Sequence, residues 1–370
     1  MKQKAEPVTP CAAEYECIVH TSPSFLQMKA LWRRMPGGAV STPFQTPGFL
    51  SAFQTHLGAD VDGYFAIYEF RCHAERLPKI LLPVFVRRRG PVRIASMPDL
   101  GMADMSGPIL ARSDKLTPDA VQGIWKLFLE TLTGVDVLDI YNIPETIAGL
   151  ENPLVYISNA EPLEPYFELD LLDPKLVTVW RKKSVFKEAT RKLRKLRERG
   201  VDFFVAETLE DRLLVCSKLI SQKKARFAAS GLENNLSSRV VADFYQELAA
   251  IKAPDSPAII FGLRDENEIV ASAMTLSVEG CMNGVLLSIA GEEWHRLSPG
   301  VVLLTAIIDW AQQNDFKTLN FGTGLQSYKT RFGGDMRQTY LISQGITPVG
   351  HAYCHVRPFI RTIKQLPRRK

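Results

Sequence analysis

Between Trp294 and Gly334 the chain reads W-H-R-L-S-P-G-V-V-L-L-T-A-I-I-D-W-A-Q-Q-N-D-F-K-T-L-N-F-G-T-G-L-Q-S-Y-K-T-R-F-G-G, and this stretch constrains the fold more than any other. Ser298 suits a helix N-cap and Pro299 the first helical position, where a missing N–H costs nothing. Val301, Leu304, Ile307, Ile308 and Ala311 then recur at the spacing of a helix with one buried face. Lys317 to Phe321 reads as a short buried strand that Gly322 and Gly324 interrupt, and a polar segment with Tyr328, Lys329 and Arg331 follows. Upstream, Gly284 to Ala290 is another apolar run of strand length. The order is therefore strand, loop, capped helix, strand. Such a helix start presents unpaired N–H groups and the positive end of a dipole, which favours phosphate or another anion.

Helix starts commonly carry no ligand, so Ser298-Pro299-Gly300 alone leaves a purely structural reading open. Two nucleotide-binding alternatives fail on spacing. A phosphate-binding P-loop needs glycine immediately before Lys-Thr, where this chain has Tyr328 before Lys329-Thr330. Gly322-Thr323-Gly324 lacks the third glycine of a dinucleotide fingerprint.

The whole stretch resembles the acyl-CoA-binding core of the GNAT superfamily of N-acyltransferases. More narrowly, S-P-G-x-x-L-L with N-F-G-x-G-x-x-x-Y-K downstream is similar to the cellulose-biosynthesis (CelD)-like acetyltransferases, relatives of the FemAB aminoacyltransferases. The resemblance implies an acyl-CoA co-substrate, with the pantetheine arm along the backbone of Leu287, Ser288 and Ile289. It places the pyrophosphate over Arg296, Leu297, Ser298, Gly300 and Val301. Tyr328 then stands where a phenol protonates the leaving thiolate, and Lys329 where an ammonium polarises the reacting carbonyl. As bare residues, a packed tyrosine and a solvated lysine serve equally well. Glu293, beside Glu292, follows the central strand and could accept a proton through water, although loop carboxylates are usually just solvated. Relatives commonly carry aspartate where this chain has Asn320, a departure that bears on substrate class or activity.

With 370 residues, two domains are expected. Tyr64–Phe70 and Lys79–Arg87 read as a hairpin, Val92–Ser96 as a further strand, and Thr117 caps a helix to about Thr131 ahead of a strand from Val135 to Tyr141. Ala258–Arg264, Ile269–Val278 and Gly284–Ala290 form a second meander. The resemblance implies an α/β (α+β) protein of two tandem GNAT-like domains, each a mixed, mostly antiparallel sheet flanked by helices. The expected bounds are a degenerate domain over 14–160 that shapes the acceptor side, a catalytic domain over 161–355 and a basic tail over 356–370.

Residues 181–199 hold ten Arg or Lys against two Glu, while Val185, Ala189, Leu193 and Leu196 keep helical spacing. This is an amphipathic helix with a basic face. Solvation accounts for such a face, as does attraction of CoA phosphates, tRNA or an anionic membrane surface. The net charge of +5 does not by itself call for nucleic acid. No apolar run approaches the ~20 residues of a membrane span, and M-K-Q-K-A-E-P-V-T-P lacks the apolar centre of a signal peptide; a cytoplasmic location is expected. The six cysteines include no C-x-x-C pair, and His351, Cys354 and His355 suit packing better than a metal, so no metal is expected. The expected function is N-acyl transfer, with acetyl the first choice, from acyl-CoA to an amino group of a sugar- or amino-acid-like acceptor in polysaccharide or cell-envelope biosynthesis. The rivals are a Fem-like transferase using aminoacyl-tRNA and a non-catalytic component of a polysaccharide-assembly complex.

Overall fold

The computed structural model describes residues 15–113, 116–231, 235–252, 254–266, 268–324 and 327–365. The chain divides into two compact units, and neither is contiguous in sequence. The first comprises Met1–Ser41, Val61–Leu163 and Thr339–Lys370; the second comprises Thr42–Asp60 and Glu164–Gln338. A single cut at 160 therefore does not describe the division. Thr339–Gly345 pairs with the strand Val137–Pro144 of the first unit, so the chain's end returns there. The expected tail from 356 is helical through Gln365, within a helix that starts at Pro348.

The first unit holds a nine-stranded, mostly antiparallel sheet. Its hairpin, Gly63–Cys72 with Pro78–Arg89, is the one expected from two strand-length runs around a polar link, Tyr64–Phe70 and Lys79–Arg87. Val92–Ser96 then runs parallel to Val137–Pro144, and the helix Pro118–Thr131 makes that crossover. Thr117 starts the helix by accepting the Ala120 amide at 3.2 Å. Val121, Ile124, Trp125 and Phe128 bury its inner face. The strand Tyr15–Thr21, unmarked by the sequence pattern, pairs along Gly63–Cys72. Its residues are only partly buried, so no strong apolar alternation marks it.

The second unit carries seven strands: β1 (Tyr166–Asp170), β2 (Asp202–Val205), β3 (Ala258–Arg264), β4 (Ile269–Val278), β5 (Cys281–Ile289), β6 (Thr318–Thr323) and β7 (Asp335–Arg337). Their order in the sheet is β2-β3-β4-β5-β6-β1-β7, antiparallel throughout except for β5 beside β6. Its helices include α1 (Ser184–Arg197), α2 (Leu209–Ser230), α3 (Arg239–Ala250), α4 (Pro299–Gln313) and the short α5 (Ser327–Arg331). Thr208 caps α2 on the Asp211 amide at 3.1 Å, Glu210 and Asp211 complement its dipole, and Gly231 ends it at φ 64°. In α4 the most buried side chains are Val302, Leu303, Ile307, Ile308 and Ala311. The predicted stripe through Val301 and Leu304 is only half-buried, because α4 packs on both the sheet and α1, and its buried arc is wider and rotated.

Cys216 on α2 is fully buried, and desolvation pushes its thiol up to about 12. Its sulfur donates to the Tyr245 carbonyl of α3 at 3.5 Å. The thiolate is the reactive species, so Cys216 should react with an aromatic disulfide reagent at least ~10²-fold more slowly in the native chain than in urea. Timed labelling read by peptide mass spectrometry checks this; equal rates would contradict the packing of α2 on α3.

Candidate active site

The site grows out of an irregularity in β5. Opposite β4, the pair Thr275–Gly284 is followed by Met274–Leu286, so Val285 is an extra residue on β5. A bulge of this kind bends its strand and sharpens the twist. On the other side, β5 pairs with β6 only at Cys281–Thr318, Met282–Leu319 and Asn283–Asn320. The two parallel strands part where the bulge begins. Beyond Asn283, no strand among the described residues pairs with the β6-facing edge of β5. Leu287, Ser288 and Ile289 lie on that open edge, whose backbone groups can pair with an extended ligand as an added strand would.

Ser288 contributes only backbone there. Its hydroxyl is buried and bound to Ser272 Oγ at 2.8 Å and to Gln222 Oε1 at 2.7 Å, while Gln222 Nε2 donates to the Ile269 carbonyl at 2.7 Å. This network ties α2 to β4 and β5 and stiffens the strand beside the opening. Leu287 and Ile289 sit against the start of α4. A Cβ on Gly300 would come within 3.0 Å of Ile289 Cδ1 and 3.3 Å of Leu287 Cδ2, so the glycine lets the helix start seat closely on β5.

Between β5 and α4, Glu292–Leu297 forms a 3-10 turn. Trp294 and Leu297 anchor it in the core, and Trp294 Nε1 donates to Glu268 Oε2 at 3.0 Å. Glu293 and Arg296 are consequently exposed. The Glu293 carboxylate folds over Gly291, where a Cβ would collide with it.

Ser298 occupies the N-cap position and Pro299 the first helical position, but Ser298 does not cap with its side chain. Its backbone is left-handed, at φ 46° and ψ 53°, a conformation costing a non-glycine residue on the order of 1 kcal/mol. Its hydroxyl instead accepts from Lys192 Nζ of α1 at 2.7 Å. The first amides of α4 therefore lack a side-chain cap, and a cation stands beside them. Lys192 also pairs with Glu188 at 2.7 Å, and Arg331 approaches the other oxygen of Glu188 at 3.7 Å. The hydrogen bond from Lys192 is the main cause that lowers the Glu188 pKa. Lys192 was hidden in the sequence among nine other cations of the segment; the Glu188–Lys192 spacing marks an intrahelical pair, but only the packing of α1 against the turn before α4 reveals its target.

Lys329 is 2 % exposed. Its ammonium donates to three successive carbonyls at the end of β6: Gly322 at 2.9 Å, Thr323 at 2.5 Å and Gly324 at 3.2 Å. Neither a solvated lysine nor one aimed at open space describes it, since its three donors hold the bend at Gly322–Gly324. Asn320 braces the same bend, its buried Oδ1 accepting the Gly322 amide at 2.7 Å. Tyr328 belongs to α5, and its side chain lies outside the described residues. The structure thus gathers Leu287, Ile289, Ser298 and Gly300 at one helix start, and leaves Glu293 and Arg296 on the exposed side of the turn before it. Among the described residues, no group of three His, Cys, Asp or Glu side chains is arranged to hold a metal ion, and no helix is long and apolar enough to cross a membrane.

Residues 183–330 match the family model of the acetyltransferase (GNAT) domain. No curated protein matches the sequence. Among solved structures, FemX is 10% identical, with 95% of this chain and 100% of that one covered and a TM-score of 0.60. A conserved protein of unknown function from Bacteroides thetaiotaomicron is 9% identical over 88% of this chain and 99% of its own, at a TM-score of 0.55. L-PGS from Bacillus licheniformis is 13% identical over 90% of this chain and 96% of its own, at a TM-score of 0.54. At these identities the likeness is one of fold. Over residues 183–330, then, the chain is similar to the acetyltransferase domain of the GNAT type, set within a two-unit fold that FemX and L-PGS resemble.

Proposed function

We propose that the protein is an N-acyltransferase that takes an acyl group, acetyl in the first instance, from acyl-CoA to an amine. The observation that carries this reading is the parting of β5 from β6 beside a helix start that no side chain caps. An extended pantetheine arm suits the open edge at Leu287–Ile289. A diphosphate suits the Gly300 amide and the positive end of α4, where the Val301 amide already donates to the Ser298 carbonyl at 3.0 Å, with Lys192 and Arg296 as nearby cations. Acyl transfer from a thioester needs a neutral amine, donors for the tetrahedral oxyanion and a proton for the leaving thiolate. Tyr328 is assigned the proton and Glu293 the role of drawing one from the amine through water. Lys329, with its donors engaged, is a positioning residue: it holds the end of β6 in shape and adds a fixed positive field beside the opening. The paired sequence motifs support an acceptor amine on a sugar- or amino-acid-like molecule of polysaccharide or cell-envelope synthesis.

The reading is tested by calorimetric titration of acetyl-CoA, with thiol release followed in the presence of amine acceptors. Saturable binding is expected, weakened about tenfold by Lys192→Ala, the scale of one charge-assisted contact. Saturable binding of aminoacyl-tRNA without any binding of CoA esters would transfer the donor role to tRNA. Binding of neither would leave a non-catalytic protein of this fold.

A further inference from the structure

A second basic feature lies on α1, away from the face that carries Lys192. Arg181, Lys187, Arg191 and Arg194 line a cavity of about 460 Å³ together with Phe186 and Asp309 of α4. Arg181 pairs with Asp309 at 3.0 Å, joining the segment before α1 to α4. Lys187 and Arg191 make no hydrogen bond or ion pair among the described residues, and the contact of Arg194 with Glu198 is a loose 3.7 Å between two exposed side chains. Four cations against one carboxylate leave the cleft strongly positive, and burial raises the pKa of that carboxylate. The volume is that of a small-molecule site. Phe186, packed into the core, supplies an apolar floor beneath the guanidinium groups.

Position separates this cleft from the helix start. Asp309 lies ten residues beyond Pro299 on α4, about 15 Å along the axis at 1.5 Å per residue. A diphosphate seated at the start of α4 is therefore not the anion that the cleft holds. On α1 itself, Lys192 turns toward Ser298 while its neighbours Lys187, Arg191 and Arg194 line the cleft, so one helix serves two anion-favouring places.

We infer that the cleft between α1 and α4 is a separate binding site for a phosphorylated small molecule of nucleotide size. Arg191 and Arg194 supply planar forks for phosphate oxygens, and Lys187 supplies a point charge. Asp309 opposes the ligand and holds Arg181 in place. The inference does not depend on acyl transfer or on the identity of the donor.

The experiment titrates inorganic pyrophosphate, and separately ADP, by calorimetry into the Gly300→Asp chain, whose added carboxylate repels a diphosphate from the start of α4 so that binding reports on the cleft; acetyl-CoA is titrated into the chain without that substitution. The Arg191→Ala/Arg194→Ala double variant should weaken both at least tenfold and leave acetyl-CoA affinity unchanged. Asp309→Asn should tighten both several-fold by removing the opposing charge, an effect that a purely structural role for the cleft would not give. Thermal melts confirm that each variant is folded. If pyrophosphate does not bind, or binds equally well to the double variant, the site is refuted. If an RNA oligonucleotide or anionic lipid vesicles bind through Arg191 and Arg194 while pyrophosphate and ADP do not, the small-molecule assignment falls and the surface belongs to that macromolecule. Absence of acetyl-CoA binding to the unsubstituted chain, with pyrophosphate still bound through Arg191 and Arg194, would overturn the donor assignment and leave this one standing.

Discussion

Lys329→Ala is expected to lower both stability and turnover. The side chain is buried, and its ammonium donates to the carbonyls of Gly322, Thr323 and Gly324. Removing it leaves three oxygens facing a void in place of a charge. Buried carbonyls left without their donor, together with the cavity, cost on the order of 3–5 kcal/mol, which for a unit of this size lowers Tm by roughly 10 °C. Turnover should fall about 10²-fold or more, the scale of losing one preorganised electrostatic contact. Lys329→Met restores most of the volume without the charge, so it separates cavity from electrostatics. Lys329→Arg should not rescue, because a planar fork cannot place three donors on three successive carbonyls. The two readouts divide the possible roles. Turnover lost at unchanged Tm would mean that the ammonium leaves the bend and meets the substrate directly. A lower Tm with full turnover would make Lys329 a staple and nothing more.

What could be read from the sequence follows the range of the interactions involved. The hairpin β3–β4 has the bounds that two strand-length apolar runs and the polar turn between them predict, Ala258–Arg264 and Ile269–Val278, because both signals are local. The start of α4 was legible from Pro299 for the same reason. Ser298 takes the N-cap position its residue type suits, but its backbone is left-handed and its hydroxyl meets Lys192, a partner 106 positions away that no local signal marks. Distance along the chain also hid the division into units. Nothing near Thr339 says that it belongs beside Val137–Pro144, nor anything near Thr42 that Phe49 packs on Phe244 at 5.4 Å. The residues along the opening are neighbours in sequence, yet the opening itself depends on Val285 bulging out of β5, and an extra residue in a ladder leaves no compositional mark. Lys329 shows the same limit: its motif was visible, whereas the three carbonyls that occupy it follow only from the turn at Gly322–Gly324.

Gly300→Asp should abolish most donor binding without unfolding the chain. A Cβ at this position meets Ile289 Cδ1 at 3.0 Å and Leu287 Cδ2 at 3.3 Å, both flexible ends of side chains, so the steric cost is on the order of 1–2 kcal/mol. A carboxylate in the first turn of α4 interacts favourably with the helix dipole, by about 0.3–1 kcal/mol, and offsets part of that cost. The charge that suits the helix is the one that repels a diphosphate. Two like charges about 4 Å apart at an effective dielectric of 20 repel by about 4 kcal/mol, and solvent at this half-open site reduces that to roughly 1.5–3 kcal/mol. Acetyl-CoA affinity should thus fall about 10- to 10²-fold beyond any loss seen in Gly300→Ala, which adds the same Cβ without the charge. Raising the salt should narrow the gap between the two variants, because exposed charges are screened within about 10 Å at 0.1 M ionic strength. If alanine and aspartate weaken binding equally at every salt concentration, Gly300 matters for its fit against Ile289 and the phosphates lie elsewhere. If neither variant weakens binding, the start of α4 is not where the donor sits, and the parting of β5 from β6 must serve a ligand that carries no phosphate.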